Sequence, residues 1–223
     1  VTRHVSGKAF AGIAAALLLA ACGEGSVVSG LTGAVDYEVK ESDRVMGSPD
    51  APVTIIEYAS MTCSHCAAFA TTVLPEIEST YVESGQVRFI FREFPLDGAA
   101  RVASALARCQ TGDNYFAFID LIFENQQNWI ANLTGGGNQG ITQESVEESL
   151  LEYARIAGMG REQAIACMRD PENLAEVDAN WNEAQNRYII NSTPGFVVNG
   201  VTHTGALPFE AFKEIIDPLL EGN

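Results

Sequence analysis

At 223 residues, 47% hydrophobic and 19% charged, the chain is long enough to bury a sizeable core in one domain, or in one domain carrying an insertion, and it is neither disordered nor fibrous. Its 29 acidic against 13 basic residues give a formal charge of −16, which argues against nucleic acid as a partner and against binding an anionic membrane through a basic face. Acidity of this kind keeps a surface solvated and identifies no partner by itself.

Residues 1–21 differ in kind from the remainder. Arg3, His4 and Lys8 precede the apolar run Ala9 to Ala21, which is too short for an ordinary spanning helix and has the charge order of a secretory signal. The run ends in Leu19-Ala20-Ala21-Cys22 and resembles the lipobox of bacterial lipoproteins. That resemblance makes Cys22 the lipidated first residue of an exported protein that touches the membrane only through its anchor, in the bacterial cell envelope or periplasm. A plain signal peptide cleaved after Ala20-Ala21 is the alternative. Lipid on Cys22 also leaves an even number of the five cysteines, as an oxidising compartment favours.

Residues 22–35 are Gly- and Ser-rich and read as a flexible tether. Tyr37 and Val39 alternate with polar neighbours as a short first strand would. After the turn-rich Gly47-Ser48-Pro49-Asp50-Ala51-Pro52, the apolar run Val53 to Ala59 reads as a central strand covered on both faces. Cys63-Ser64-His65-Cys66 follows directly, ahead of a helix running to about Val73, where Pro75 must interrupt or restart it. A second helical stretch ends near Gly85, and Val87 to Phe94 is another strand, giving a right-handed βαβ unit.

Two cysteines three apart can close a small disulfide ring, and a strand-to-helix junction aims free N–H groups and the positive end of a helix dipole at the first sulfur. That environment favours thiolate over thiol. The spacing alone also fits half a zinc site, but the flanking strand and helix favour a redox dithiol. Cys109 and Cys167 are either a structural disulfide stapling two helices, worth about 4 kcal/mol by chain entropy, or two buried thiols.

From Asp97 to about Asn191 the pattern is helical throughout, with Thr142 capping a helix whose buried face holds Val146, Leu150, Leu151 and Ala154. Gly135 to Gly140 reads as a loop between helices. Phe196 to Val198 and Val201 to Thr204 flank Asn199-Gly200, a strong hairpin signal, and a last helix spans about Pro208 to Leu220.

This order, with the dithiol behind the central strand and Thr193-Pro194 ahead of the hairpin, resembles the thioredoxin fold, and the helical block between its halves resembles the DsbA-like thiol oxidases. The likeness rests on Gly47 to Thr54, Cys63 to Cys66, Phe91-Arg92-Glu93-Phe94-Pro95-Leu96 and Thr193 to Gly200. It implies an α/β, thioredoxin-like fold with an inserted α-helical domain: residues 36–96 and 192–223 form the two halves, and 97–191 the insertion. By the same resemblance Cys63 is the exposed attacking sulfur and Cys66 the buried resolving one. Glu57 is a buried acid that accepts the Cys66 proton, and Thr193-Pro194 is a cis loop that faces the disulfide and binds substrate.

His65, between the cysteines, can place positive charge beside the Cys63 thiolate, a residue choice typical of the oxidase branch. A thiol titrating ~3 units low favours the thiolate by ~4 kcal/mol, and a stabilised reduced form makes the disulfide a strong oxidant. The resemblance implies no cofactor and no metal beyond the Cys63–Cys66 disulfide itself. It implies reduced exported proteins as substrates and a DsbB-like, quinone-linked membrane protein as reoxidant. Ser64 stands where many members have proline, and Ile189-Ile190-Asn191 lacks a glycine often found before the Thr-Pro loop. A disulfide reductase or isomerase is the first alternative, although the short stretch between Cys22 and Val39 offers no dimerisation region of the kind known isomerases use. A non-enzymatic thioredoxin-like lipoprotein is the second.

Overall fold

The computed structural model describes residues 34–112, 114–134 and 140–222. The expected leader, the Cys22 anchor, nearly all of the tether and most of the Gly135–Gly140 loop lie outside them. Strand β1 (Arg44–Met46) is followed by β2 (Val53–Ala59), and helix α1 (Ser64–Thr72) begins just after the dithiol's first cysteine. At Val73 the chain breaks and restarts as α2 (Leu74–Ile77), with Pro75 in the first turn where a missing N–H costs nothing, and continues as a π-helical turn (Glu78–Val82). Strand β3 (Val87–Glu93) completes the βαβ unit.

The helical stretch resolves into α3 (Gly98–Arg108), α4 (Asn114–Glu124), α5 (Gln126–Thr134), α6 (Gln143–Ile156), α7 (Arg161–Met168) and α8 (Pro171–Arg187). The Thr142 side chain accepts from the Ser145 N–H as the expected cap of α6, and Ser145 answers with its own hydroxyl. The hairpin of β4 (Gly195–Val198) and β5 (Val201–Thr204) and the closing helix α9 (Phe209–Glu221) end the chain. Asn199 and Gly200 take φ of 44° and 86°, the positive values that a two-residue hairpin turn demands.

The five strands run in the order β1-β3-β2-β4-β5. Strand β2 pairs parallel to β3 and antiparallel to β4, so it lies in the centre and all seven of its residues are buried. One face of the sheet, with Val53, Ile55, Phe89, Phe91, Phe196 and Val198, packs against α1, α9 and the inserted helices. The other, with Ile56, Tyr58, Ile90 and Val197, packs against Ala184 of α8 and the segment Tyr188 to Ile190.

The expected first strand at Tyr37 and Val39 is corrected: the first strand is Arg44–Met46, paired antiparallel with Phe89–Phe91. Tyr37 and Val39 alternate because both cover the second apolar cluster from outside the sheet, so their period reports burial without strand pairing. Val35 N–H donates to the Gly200 carbonyl, and Asn199 N–H to the Thr54 carbonyl. Val35 and the Asn199-Gly200 turn thus lie at the amino end of β2, opposite the end that carries the dithiol.

Buried charges weld the inserted helices to the sheet. Arg92 is 0% exposed and donates to Asp43, to Glu183 of α8 and to the Tyr58 hydroxyl. Glu93 accepts from Arg108 of α3, Tyr115 of α4 and Asn180 of α8. Each carboxylate and guanidinium is thus paired and hydrogen-bonded, as charges out of water must be.

Candidate active site

Cys63 is the N-cap of α1, with extended φ −80° and ψ 118°, and uses no side chain to cap the helix. Its N–H donates to the Ser60 carbonyl (3.0 Å), closing a turn at the carboxyl end of β2, and its carbonyl accepts the Ala67 N–H, the first bond of the helix. The first N–H groups of α1, on His65 and Cys66, lie beside Cys63 without making a capping hydrogen bond to its Sγ, and they lower its thiol slightly.

Four groups favour the Cys63 thiolate: the Cys66 thiol first, then the Thr193 hydroxyl and the N–H groups of Cys66 and His65. Working against burial, they hold the Cys63 thiol down to about 5. As a thiol, Cys63 Sγ donates to the Thr193 carbonyl at 3.4 Å. Once ionised it accepts from the Thr193 hydroxyl, a buried group without another hydrogen-bond partner among the described residues. Cys63 alkylation in the reduced protein should accordingly reach half its limiting rate near pH 5 in a pH-rate profile. A midpoint near pH 9 would show that these donors do not act.

Cys66 behaves oppositely. It is 0% exposed, and burial, together with the Cys63 sulfur and the Glu57 carboxylate, pushes its thiol far above the ordinary range. Glu57 lies on β2 between Phe91 and Phe196 in the sheet register, is 1% exposed, and its Oε1 has no hydrogen-bond partner among the described residues. Burial, and secondarily the nearby Cys63 charge, pushes its carboxyl well up. Two reluctant acids thus sit beneath one willing one.

The Thr193-Pro194 peptide is cis, and its loop carries the Thr193 carbonyl and hydroxyl to Cys63. Cys63 itself is 9% exposed, so the expected exposed sulfur is corrected to a largely covered one, because this loop closes over it; it remains the more accessible of the pair. Ser64 and His65 are exposed, and what His65 aims at Cys63 is its backbone N–H. Ile189, shortly before this loop, takes a left-handed φ of 55°. Gly195 is needed, since a Cβ there would fall 2.6 Å from Ile190 Cγ2. Cys109 and Cys167 are bonded, with Cα atoms 6.1 Å apart, and tie the end of α3 to α7. Among the described residues no cluster of His, Cys, Asp and Glu is arranged to hold a metal, and no helix is long and apolar enough to cross a membrane.

One residue at the site escapes the sequence. Gln126, the first residue of α5, is buried and its Nε2 donates to the carbonyls of both Met61 (3.0 Å) and Cys63 (2.9 Å). It stands in the polar run Asn125-Gln126-Gln127-Asn128, where nothing distinguishes it from its neighbours.

Residues 39–218 match the family model described as Thioredoxin. The chain belongs to the thioredoxin family. A Rickettsia bellii protein provisionally named a protein-disulfide oxidoreductase is 29% identical over 188 residues, covering 84% of this chain and 68% of its own length. The match to its Rickettsia felis counterpart covers 63% of that protein, so the chain spans about two thirds of the length of these relatives. Disulfide bond formation protein D of Bacillus subtilis is 26% identical over 80% of this chain and 77% of its own. The crystal structure of Wolbachia pipientis α-DsbA1 superposes with a TM-score of 0.72 at 27% identity, covering 82% of this chain and 94% of that one. Within the thioredoxin family the likeness is therefore to the DsbA-like thiol:disulfide oxidoreductases, whose fold, helices included, this chain shares.

Proposed function

We propose that this thiol:disulfide oxidoreductase works as an oxidase, donating the Cys63–Cys66 disulfide to reduced exported proteins. The observation that carries the reading is the placing of Cys63 Sγ at the start of α1 and against Thr193, with its thiol held down chiefly by the Cys66 thiol, because a dithiol whose attacking sulfur is stable as thiolate gains little from being a disulfide. A substrate thiolate attacks Cys63 Sγ, forming a mixed disulfide and breaking the Cys63–Cys66 bond. Cys66 leaves as a thiolate that its buried site disfavours, and it takes a proton from the Glu57 carboxyl, which burial keeps protonated. A second substrate thiolate then attacks the substrate sulfur and releases Cys63 as a thiolate. The substrate is oxidised by two electrons and the protein is left as the dithiol.

The Thr193-Pro194 loop holds the incoming chain. Reoxidation falls to a DsbB-like, quinone-linked membrane protein. The protein is exported and anchored through Cys22.

Glu57→Gln tests the proton role. The variant should oxidise a reduced peptide about 10-fold or more slowly, on the scale of lost general acid catalysis. It should also be more stable than the parent at neutral and alkaline pH. The buried carboxyl titrates higher folded than unfolded, so its burden is absent below the ordinary carboxyl range and grows as pH rises toward its folded value. Equal rates, or equal stability at pH 8, would remove Glu57 from the mechanism.

A further inference from the structure

Among the described residues, one side chain of the inserted helices, Gln126, donates to the backbone of the dithiol turn. Helix α4 ends at Glu124 and α5 begins at Gln126, and Trp129, one turn into α5 and 0% exposed, fixes this junction by donating from its indole N–H to the Ile122 carbonyl. The two carbonyls that Gln126 meets straddle the turn Ser60 to Cys63. That of Met61 lies inside the turn, and that of Cys63 is already the acceptor of the first α1 hydrogen bond. A primary amide suits the position for a stereochemical reason, since one nitrogen offers two N–H donors at a fixed angle. A glutamate offers acceptors to acceptors, an asparagine is one methylene short, and a lysine would bury a charge.

We propose that Gln126 is a positioning residue for the redox reaction: by donating to the Met61 and Cys63 carbonyls together, it holds the N-cap turn so that Cys63 Sγ stays at the start of α1 and against Thr193. The inserted domain thereby sets the reactivity of a sulfur that belongs to the other half of the fold. This rests on Cys63 being the attacked sulfur, but it can fail separately, because it is read from Cys63 ionisation and not from activity. Oxidation surviving in Cys63→Ser would instead strike at the proposed function.

The test is Gln126→Leu, which keeps most of the volume and removes both donors, with Gln126→Met as the alternative should the leucine variant not fold. Cys63 ionisation would be followed by pH-dependent alkylation of the reduced protein, and the dithiol–disulfide equilibrium by incubation with glutathione. Loss of the clamp is expected to raise the Cys63 titration midpoint by about one unit, leaving about tenfold less thiolate at pH values below the midpoint. The equilibrium with glutathione is expected to shift toward the protein disulfide by about the same factor. A folded variant with unchanged midpoint and equilibrium overturns the proposal, even if it melts earlier, because a purely structural glutamine would lower stability alone. The unsubstituted protein gives an independent reading: both Gln126 side-chain amide protons should exchange slowly with solvent, and exchange at the rate of a free carboxamide would equally overturn it.

Discussion

Replacing Cys63 with serine should reduce the oxidation of a reduced, unfolded protein to the uncatalysed background, the largest effect expected of any single change in this chain. The disulfide cannot form without Cys63 Sγ, and no other described sulfur is free to replace it: Cys66 is 0% exposed with its thiol pushed far up, and Cys109 and Cys167 are bonded to each other. Cys66→Ser should also fail to donate a disulfide, yet it keeps a reactive Cys63 that alkylates readily below neutrality. The strongest influence holding Cys63 down is the Cys66 thiol itself, so that midpoint should rise somewhat from about 5. The assay is thiol loss in a reduced model protein under a limiting oxidant; retained activity in Cys63→Ser would end the assignment.

The second large effect concerns stability. The Cys109–Cys167 bond closes a loop with a sequence separation of 58, and removing it by a double Cys→Ala change should cost about 4 kcal/mol by the chain-entropy account. Because it joins α3 to α7, the loss should fall on the inserted helices, and Asn173, whose amide donates to Cys109 Sγ, loses its partner as well. Thermal unfolding of the double variant should come roughly 8–16 °C lower, given about 2–4 °C per kcal/mol for a chain of this size. A strong reductant should bring the parent down to the same value. A difference under about 1 kcal/mol would mean that the unfolded chain is already compact around this pair.

What could be read from the residues was whatever a short run of neighbours encodes. Val53 to Ala59 announces a doubly covered strand because every residue is apolar or small apart from Thr54 and Glu57, and Asn199-Gly200 announces a hairpin because few other pairs accept two positive φ values. The dithiol and the Thr193-Pro194 loop could be recognised as motifs, though 126 positions lie between Cys66 and Thr193. Only the folded sheet, in which β4 pairs with β2, brings Thr193 to Cys63. The alternation at Tyr37 and Val39 misleads because two side chains covering a cluster from an irregular segment have the same period as a strand, and β1, only three residues long, is too short to show one. Gln126 could not be found at all: its importance lies in two backbone carbonyls some 60 residues away, and backbone acceptors leave no mark in a sequence. The covering of Cys63 was hidden for a similar reason, since it is produced by a loop from the far half of the chain.

Direction is the centre of the account, and it follows from an asymmetry within one ring of four residues. Cys63 has its thiol lowered by the Cys66 thiol, the Thr193 hydroxyl and the neighbouring N–H groups of α1, while Cys66 is enclosed beside an unpaired carboxyl. In the reduced protein this stabilises a thiolate that the oxidised protein cannot have. With the Cys63 thiol lower folded than unfolded, the reduced form's advantage is complete above the ordinary thiol range and is lost as pH falls through about 5. The measurement that tests this most directly is the equilibrium of the Cys63–Cys66 couple with reduced and oxidised glutathione at pH 7. An oxidase should lie nearer the about −120 mV of DsbA than the about −270 mV of thioredoxin, and so remain a dithiol in buffers that would leave thioredoxin a disulfide. A potential at or below that of thioredoxin would contradict the account and make the protein a reductant.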